Sequence, residues 1–329
     1  DAILLNQDLV ALTDRMDIAK AMGYFYTHGK LPDYIKDTLD FRKLITARPG
    51  MNLYSCDLAQ IEPRVLAWLV KDWGLLKKVQ AGMSVYEAHA RNSMGWEGSH
   101  GRMKKEDLQK YQLAKARVLS LGYGAGWKKF IGMALSYTGE DITANDPDTE
   151  ICVDMLTGEE FEQPGYGKYA REIVNDFRAT NPKITEFWRT MDDQLRASVG
   201  GDLNLTLPSG RKMRYKKVKM DAVVRPNKDG KPEKKMVISA EVMGQRREFY
   251  GGKLVENVTQ AVARDVFGLG MVACEDAGYT CLFSSHDENV TEHKVGDAKE
   301  LEQIMGQTPE WLPGCPIEAE ASKLDHYKK

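Results

Sequence analysis

The chain of 329 residues is poor in several things that would have narrowed its function. It has no apolar run approaching the roughly 18 residues of a membrane-spanning helix, and no charged-then-apolar opening segment. Neither a membrane partner nor a signal peptide is expected. Cysteine is scarce: Cys56, Cys152, Cys274, Cys281 and Cys315 are odd in number and lack CxxC spacing. This argues against a disulfide framework or a zinc site and fits a reducing, cytoplasmic compartment. Charge of one sign is also missing, since 46 Lys and Arg stand against 48 Asp and Glu, a net charge of −2. A strongly basic total would have pointed to nucleic acid; a neutral one leaves local basic stripes possible. No internal repeat is visible, and the composition is that of an ordinary globular chain long enough to bury a large core.

What is there gathers around Leu53–Arg64, LYSCDLAQIEPR. Leu53-Tyr54-Ser55-Cys56 reads as a short strand that delivers Asp57 to its end. Leu58-Ala59-Gln60 makes a tight passage, and Pro63 opens a helix, where its missing N–H costs nothing. Val65, Leu66, Trp68, Leu69 and Leu75 then form an apolar run. A lone Asp at a strand end is ordinarily a turn or cap residue. Far along the chain, Tyr279–His293 reads YTCLFSSHDENVTEH, two β-type runs, Thr280–Ser285 and Val290–His293, around His286-Asp287-Glu288-Asn289. A hairpin tip beside a strand end can bring Asp57 and Asp287 within reach of one ion. Mg²⁺ suits such a pair, because it takes one or two carboxylates and leaves room for substrate phosphates.

A third stretch, LAKARVLSLGYGAG (Leu113–Gly126), places Lys115, Leu119 and Tyr123 four residues apart on one helical face, with glycines at 122, 124 and 126 where the helix ends. A cation, an apolar group and an aromatic ring in one stripe suit a nucleoside triphosphate. The plainer alternative is an amphipathic helix with an exposed lysine.

DLAQIEPR, then Lys-x7-Tyr-Gly, then His-Asp-Glu, in this order, resemble the three motifs of the family A DNA polymerases, and especially their bacteriophage branch. YGGKLVENVTQAVARD (Tyr250–Asp265) resembles the phage version of the helix before the last motif. The resemblance runs from Phe41 to the C-terminus. It implies an α+β fold, an antiparallel-sheet palm with an inserted helical fingers subdomain and the thumb absent or reduced. Residues 1–40 would be a helical N-terminal segment, 41–69 the first part of the palm, 70–198 the fingers and 199–329 the second part of the palm. The Thr-Gly-Arg and Asn-Leu-Gln-Asn segments that relatives place before the first motif are not found. A separate chain supplying thumb or exonuclease is therefore an expected partner, besides primer-template DNA and dNTPs. If phage-encoded, the protein would work in the host cytoplasm.

By the same resemblance, Asp57, Asp287 and Lys115 are the catalytic residues of a two-metal phosphoryl transfer, with two Mg²⁺ ions (or Mn²⁺) on Asp57, the Leu58 carbonyl, Asp287 and Glu288. The nucleotide side is assigned to Tyr123, Glu62, Leu119, Gln60, Gly124 and Tyr111. Glu62 is the expected steric gate against a ribose 2′ hydroxyl and the partner of Tyr123. The DNA side is assigned to Gln260, His286, Arg64, Arg264, Asn257, Arg211 and Lys212. Two positions depart from the family: Tyr111 stands where an Arg is usual, and Leu119 where Phe or Tyr senses the sugar 3′ hydroxyl.

The remaining chain fits this frame. Thr138–Gly165 is polar and acidic and reads as a solvated insertion. Tyr166–Val199 returns to helix. Gly201–Met243 changes to an alternating period, with strands around a Pro-Asn-Lys-Asp-Gly-Lys turn. Between Arg211 and Lys235, eleven Lys or Arg face three acids, which reads either as charged sheet edges or as a phosphate-contacting stripe. Along Leu254–Gly270 a polar row (Lys253, Asn257, Gln260, Arg264) reads by itself as a wet helix face; the resemblance implies that Gln260 reaches the minor groove, where A·T and T·A look alike. The competing readings are a non-catalytic DNA-binding subunit and a single-subunit RNA polymerase. The second usually keeps a small residue at the position of Glu62.

Overall fold

The computed structural model describes residues 41–153, 160–226 and 231–328. The helix expected over residues 1–36, and residues 227–230 of the expected turn, lie outside them. In chain order the elements are β1 (Asn52–Leu58), α1 (Ile61–Leu69), α2 (Trp73–Gln80), α3 (Val85–Ser93), α4 (Met103–Glu106), α5 (Leu108–Ala116) and α6 (Trp127–Thr138). A β2–β3 hairpin (Thr149–Val153, Glu160–Pro164) leads to α7 (Lys168–Thr180) and α8 (Pro182–Ala197). Four strands follow, β4 (Leu203–Thr206), β5 (Lys212–Pro226), β6 (Pro232–Val242) and β7 (Gln245–Phe249), and then α9 (Gly251–Asp276). The chain closes with β8 (Thr280–Ser285), β9 (Glu288–His293), α10 (Ala298–Met305) and β10 (Ala319–Leu324). Every sheet pairing is antiparallel, so the mixed helix and antiparallel-sheet content follows the α+β expectation. Among the described residues no helix is long and apolar enough to cross a membrane.

The chain divides into two compact units. The first holds the described residues of Asp1–Ile61, Val266–Pro309 and Ile317–Lys329. Its sheet has the order β10-β1-β9-β8. Tyr54, Cys56 and Leu58 alternate onto one face and are all buried. There the Cys56 thiol donates to the Leu301 carbonyl of α10, and Tyr54 meets the edge of Tyr279 at 5.8 Å. On the opposite face Leu53, Val290, Leu324 and Tyr327 form a second core with Ile45 and Ala47 packed on it. Full burial of each such Leu or Val contributes about 1.5–3 kcal/mol. That apolar block fills one end of the face, and Asp57 stands at the other.

The second unit, Glu62–Asp265 with Glu310–Pro316, contains α2–α8, all of α1 but Ile61, the first part of α9 and the sheet β4-β5-β6-β7. Side-chain caps start three of its helices: Asp72 accepts from Leu75 N, Ser84 from Glu87 N and Asp107 from Lys110 N. One apolar core joins α1, α2, α3, α4 and α5 through Ala67, Leu76, Val79, Ala88, Met103 and Ala114. Another joins α6 and α7 through Phe130, Ala134, Ile173 and Phe177. The inner face of the sheet buries Leu203, Leu205, Tyr215 and Phe249, and Asn257 of α9 donates to the Tyr215 hydroxyl at 3.1 Å.

Three expectations shift. Helix α1 begins at Ile61 rather than Pro63, which sits in the first turn, where a missing N–H is still harmless. Glu288 and Asn289 belong to strand β9, leaving His286-Asp287 as a two-residue turn with His286 at φ +56°. The stripe Lys115–Leu119–Tyr123 does not lie on one regular helix. Helix α5 ends at Ala116, and Arg117–Leu121 form a π turn. Ser120 Oγ donates to the Ala116 carbonyl at 2.6 Å, competing with the backbone bond a regular helix would make there. Strand β7 was not foreseen: in QRREF only Phe249 is buried, so little alternation reaches the sequence.

Candidate active site

Within the first unit, backbone pairing gathers the carboxylates. Asp57 is in register with Glu288 on β9 and with Glu320 on β10. Leu58 N donates to the carbonyl of Asp287 at 3.1 Å, so the turn is fastened to the end of β1. Asp57 and Asp287 are both half-buried, and Asp57 Oδ1 is itself shielded from solvent. Leu58 is buried and Glu288 is 5 % exposed; Glu288 Oε2 accepts from the Tyr327 hydroxyl at 2.8 Å. His286 projects outward from the turn.

Oxygen-only ligands from two carboxylates suit a hard divalent cation that keeps its waters. Among the described residues no group of three His, Cys, Asp or Glu is arranged to hold an ion. This is consistent with the same requirement, since Mg²⁺ needs no all-protein cage. The residues therefore fit Mg²⁺ as shared with a substrate.

The second unit contains the stripe. Tyr123 is buried, and its hydroxyl donates to Glu62 Oε2 at 3.3 Å. Burial first, and the Glu62 carboxylate second, push the Tyr123 phenol well above its ordinary pKa, so it stays a donor. Gly124 has φ +74°, and a Cβ there would stand 3.6 Å from the Gly252 Cα. Gly252 itself has no room for a side chain, since a Cβ would come within 2.4 Å of the Tyr123 carbonyl. Trp188 Nε1 donates to the Gly122 carbonyl at 2.8 Å. These contacts lock the end of the stripe. Lys115 is half-buried with Nζ 5.2 Å from the Tyr137 ring centroid, a cation–π position from which a flexible stem can swing. Leu119 packs on the α2–α3 core. Tyr111 is buried edge-on to Tyr86 at 5.5 Å, so its bulk serves packing where a charge had been usual. Gln60, with φ +52°, makes the turn before α1.

The DNA-side candidates differ in exposure and in what holds them. Gln260, Arg264 and Lys212 are exposed. Arg211 pairs with Asp265 at 2.7 Å and donates to the Ala261 carbonyl. Asn257 is held by Tyr215. Arg64 is 2 % exposed and donates to the Pro316 carbonyl at 3.1 Å. The basic stripe also resolves into two halves. Lys212, Arg214 and Lys216 alternate on the open face of β5 beside Asn204 and Thr206 of β4, and among the described residues none is paired with an acid. From Lys217 onward several cations are matched with acids: Lys217 with Glu241, Lys219 with Asp221, Arg225 with Glu248 and Lys235 with Glu233. Arg214 and Lys216 were not singled out from sequence, although their period of two with Lys212 marks them as one face.

The fold has a solved counterpart. It is similar to the solved POL domain of Pol1 from M. smegmatis, in complex with DNA primer-template and dNTP (TM-score 0.55, 18% identity, covering 87% of this chain and 41% of that one). In sequence the chain is similar to a DNA polymerase of Bacillus phage SP02, 27% identical over 325 residues, covering 92% of this chain and 45% of that protein. The chain thus spans somewhat less than half the length of that relative. No family model matches it. The resemblance read from the motifs, to a phage-type, family A-like polymerase domain, is borne out.

Proposed function

We propose that this chain carries the polymerase domain of a DNA-directed DNA polymerase, adding dNMPs to a primer 3′ end on a template, with a palm built on the Asp57 sheet and fingers built on the helices. The observation that carries the proposal is the fastening of Asp287 to the end of β1 beside Asp57. Asp57, Asp287 and the Leu58 carbonyl would hold Mg²⁺. Bound there, the ions supply an activated primer 3′ oxygen and charge neutralisation on the triphosphate. A bond forms between that oxygen and the α-phosphorus as the bond from the α-phosphorus to the pyrophosphate oxygen breaks. The 3′ hydroxyl proton passes to water, while Lys115 swings from Tyr137 to the triphosphate as a point charge and donates a proton to the departing pyrophosphate. Glu62, held by Tyr123, excludes a 2′ hydroxyl. Gln260 reads pair shape in the minor groove.

Lys212, Arg214 and Lys216, about 7 Å apart along β5, supply sequence-independent phosphate contacts. The likeness of the fold to a domain solved with primer-template and dNTP supports the reading.

Primer extension tests it, with dNTPs against rNTPs on a DNA template. The expected result is extension with dNTPs, poor use of rNTPs, and about tenfold better rNTP use in Glu62→Ala. Equal use of both by the wild type would favour an RNA polymerase. No extension with intact DNA binding would favour a non-catalytic subunit.

A further inference from the structure

Glu288 is directly opposite Asp57 on the neighbouring strand, and opposite residues of an antiparallel pair share a face with Cβ atoms about 5 Å apart. Two carboxylates so placed repel unless one is drawn aside or a cation lies between them. Here one is drawn aside. Glu288 is 5 % exposed, and its Oε2 accepts from the Tyr327 hydroxyl at 2.8 Å. Tyr327 is firmly set: it is 7 % exposed, its backbone N donates to the Ile45 carbonyl at 2.8 Å, and Phe283 meets its ring edge-on at 5.1 Å. Leu53, Val290 and Leu324 surround it. Tyr327 belongs to the apolar block of Leu53, Val290 and Leu324, so its hydroxyl holds Glu288 from the side of that block. No three-carboxylate cluster forms among the described residues, although sequence puts Asp57, Asp287 and Glu288 at one sheet end.

We infer that Tyr327 is a positioning residue that withholds Glu288 from the metal pair, keeping the protein's share of the ligands to two carboxylates. The inference rests on the proposed metal role of Asp57 and Asp287. Its functional sense follows from ligand charge. A third carboxylate tightens divalent binding and favours ions that tolerate a crowded anionic shell, at the expense of the open positions substrate phosphates need. Tyr327 thereby sets how strongly the ion is held without touching it.

Mn²⁺ alone is the probe, titrated by EPR into the whole chain as wild type, Tyr327→Phe, Glu288→Gln, the double variant and Asp57→Asn. Tyr327→Phe keeps the ring and its packing and removes only the hydroxyl. Tighter Mn²⁺ binding in Tyr327→Phe than in wild type, by roughly tenfold, is expected. In the Glu288→Gln background the same change should have no effect, because the released carboxylate is missing. An unchanged affinity in Tyr327→Phe overturns the inference, as does a gain that persists without Glu288. Asp57→Asn separates this failure from that of the underlying reading. If Asp57→Asn weakens Mn²⁺ binding while Tyr327→Phe does nothing, the metal pair stands and the withholding falls. If Asp57→Asn binds Mn²⁺ as the wild type does, both fall.

Discussion

The two carboxylates and the Lys115–Tyr123 stripe are positioned by different means. Asp57 and Asp287 are fixed by main-chain bonds, a strand paired on both sides and a turn fastened through Leu58 N. The stripe crosses a π turn and is fixed by side chains: Trp188 on the Gly122 carbonyl, Glu62 on Tyr123, and a buried Arg117 paired with Asp176. Single-turn π segments are uncommon and concentrate at functional sites. The difference teaches that the carboxylate pair needs only the sheet to be formed, whereas the Lys115–Tyr123 stripe depends on individual side chains that substitution can remove.

The largest effect that sharpens this contrast is expected at Lys115. Lys115→Ala should lower kcat/KM for dNTPs about 100-fold with primer-template affinity unchanged, read by steady-state extension and a binding titration. A variant as active as wild type would mean the π turn positions nothing that matters. Next comes the stripe on β5. Lys212→Ala and Arg214→Ala should each lower the slope of log affinity against log salt by about one. Arg225→Ala, whose guanidinium is already matched to Glu248, should leave the slope unchanged. Equal effects from all three would erase the division between the two halves of the hairpin.

The smallest expected effect concerns His89, 3 % exposed beneath the π turn. Burial, and then the neighbouring Arg117 guanidinium, lower its pKa from 6.5 to about 3. The unfolded chain takes up this proton near pH 6.5 while the folded one does not until about pH 3. Stability is therefore unaffected by His89 above pH 6.5 and falls as the pH drops through that window, by at most about 1.4 kcal/mol per unit. Thermal unfolding followed across pH 4 to 7 should show a shallower acid loss in His89→Gln. An identical profile would mean that His89 is already charged in the fold.

How legible this was in sequence follows the same division. Asp57, Asp287 and the hairpin were readable because strand alternation and a polar turn are local signals. The pairing of Tyr123 with Glu62 came from the resemblance, not from spacing. The π turn was hidden because the four-residue spacing of Lys115, Leu119 and Tyr123 is what a regular helix would also show; only tertiary contacts of Arg117 and the Ser120 bond to Ala116 break it. The burial of Arg64 was equally unreadable, since its acceptor, the Pro316 carbonyl, is 252 residues away. Tyr327 lies near the chain's end and gave no motif at all.

The most direct test of the central claim is single-turnover extension of a bound primer-template, comparing wild type with Asp287→Asn at equal occupancy. The account predicts that both proteins bind the DNA alike and that the variant loses at least about 100-fold in the rate of the first dNMP addition. Extension by Asp287→Asn at the wild-type rate would contradict it.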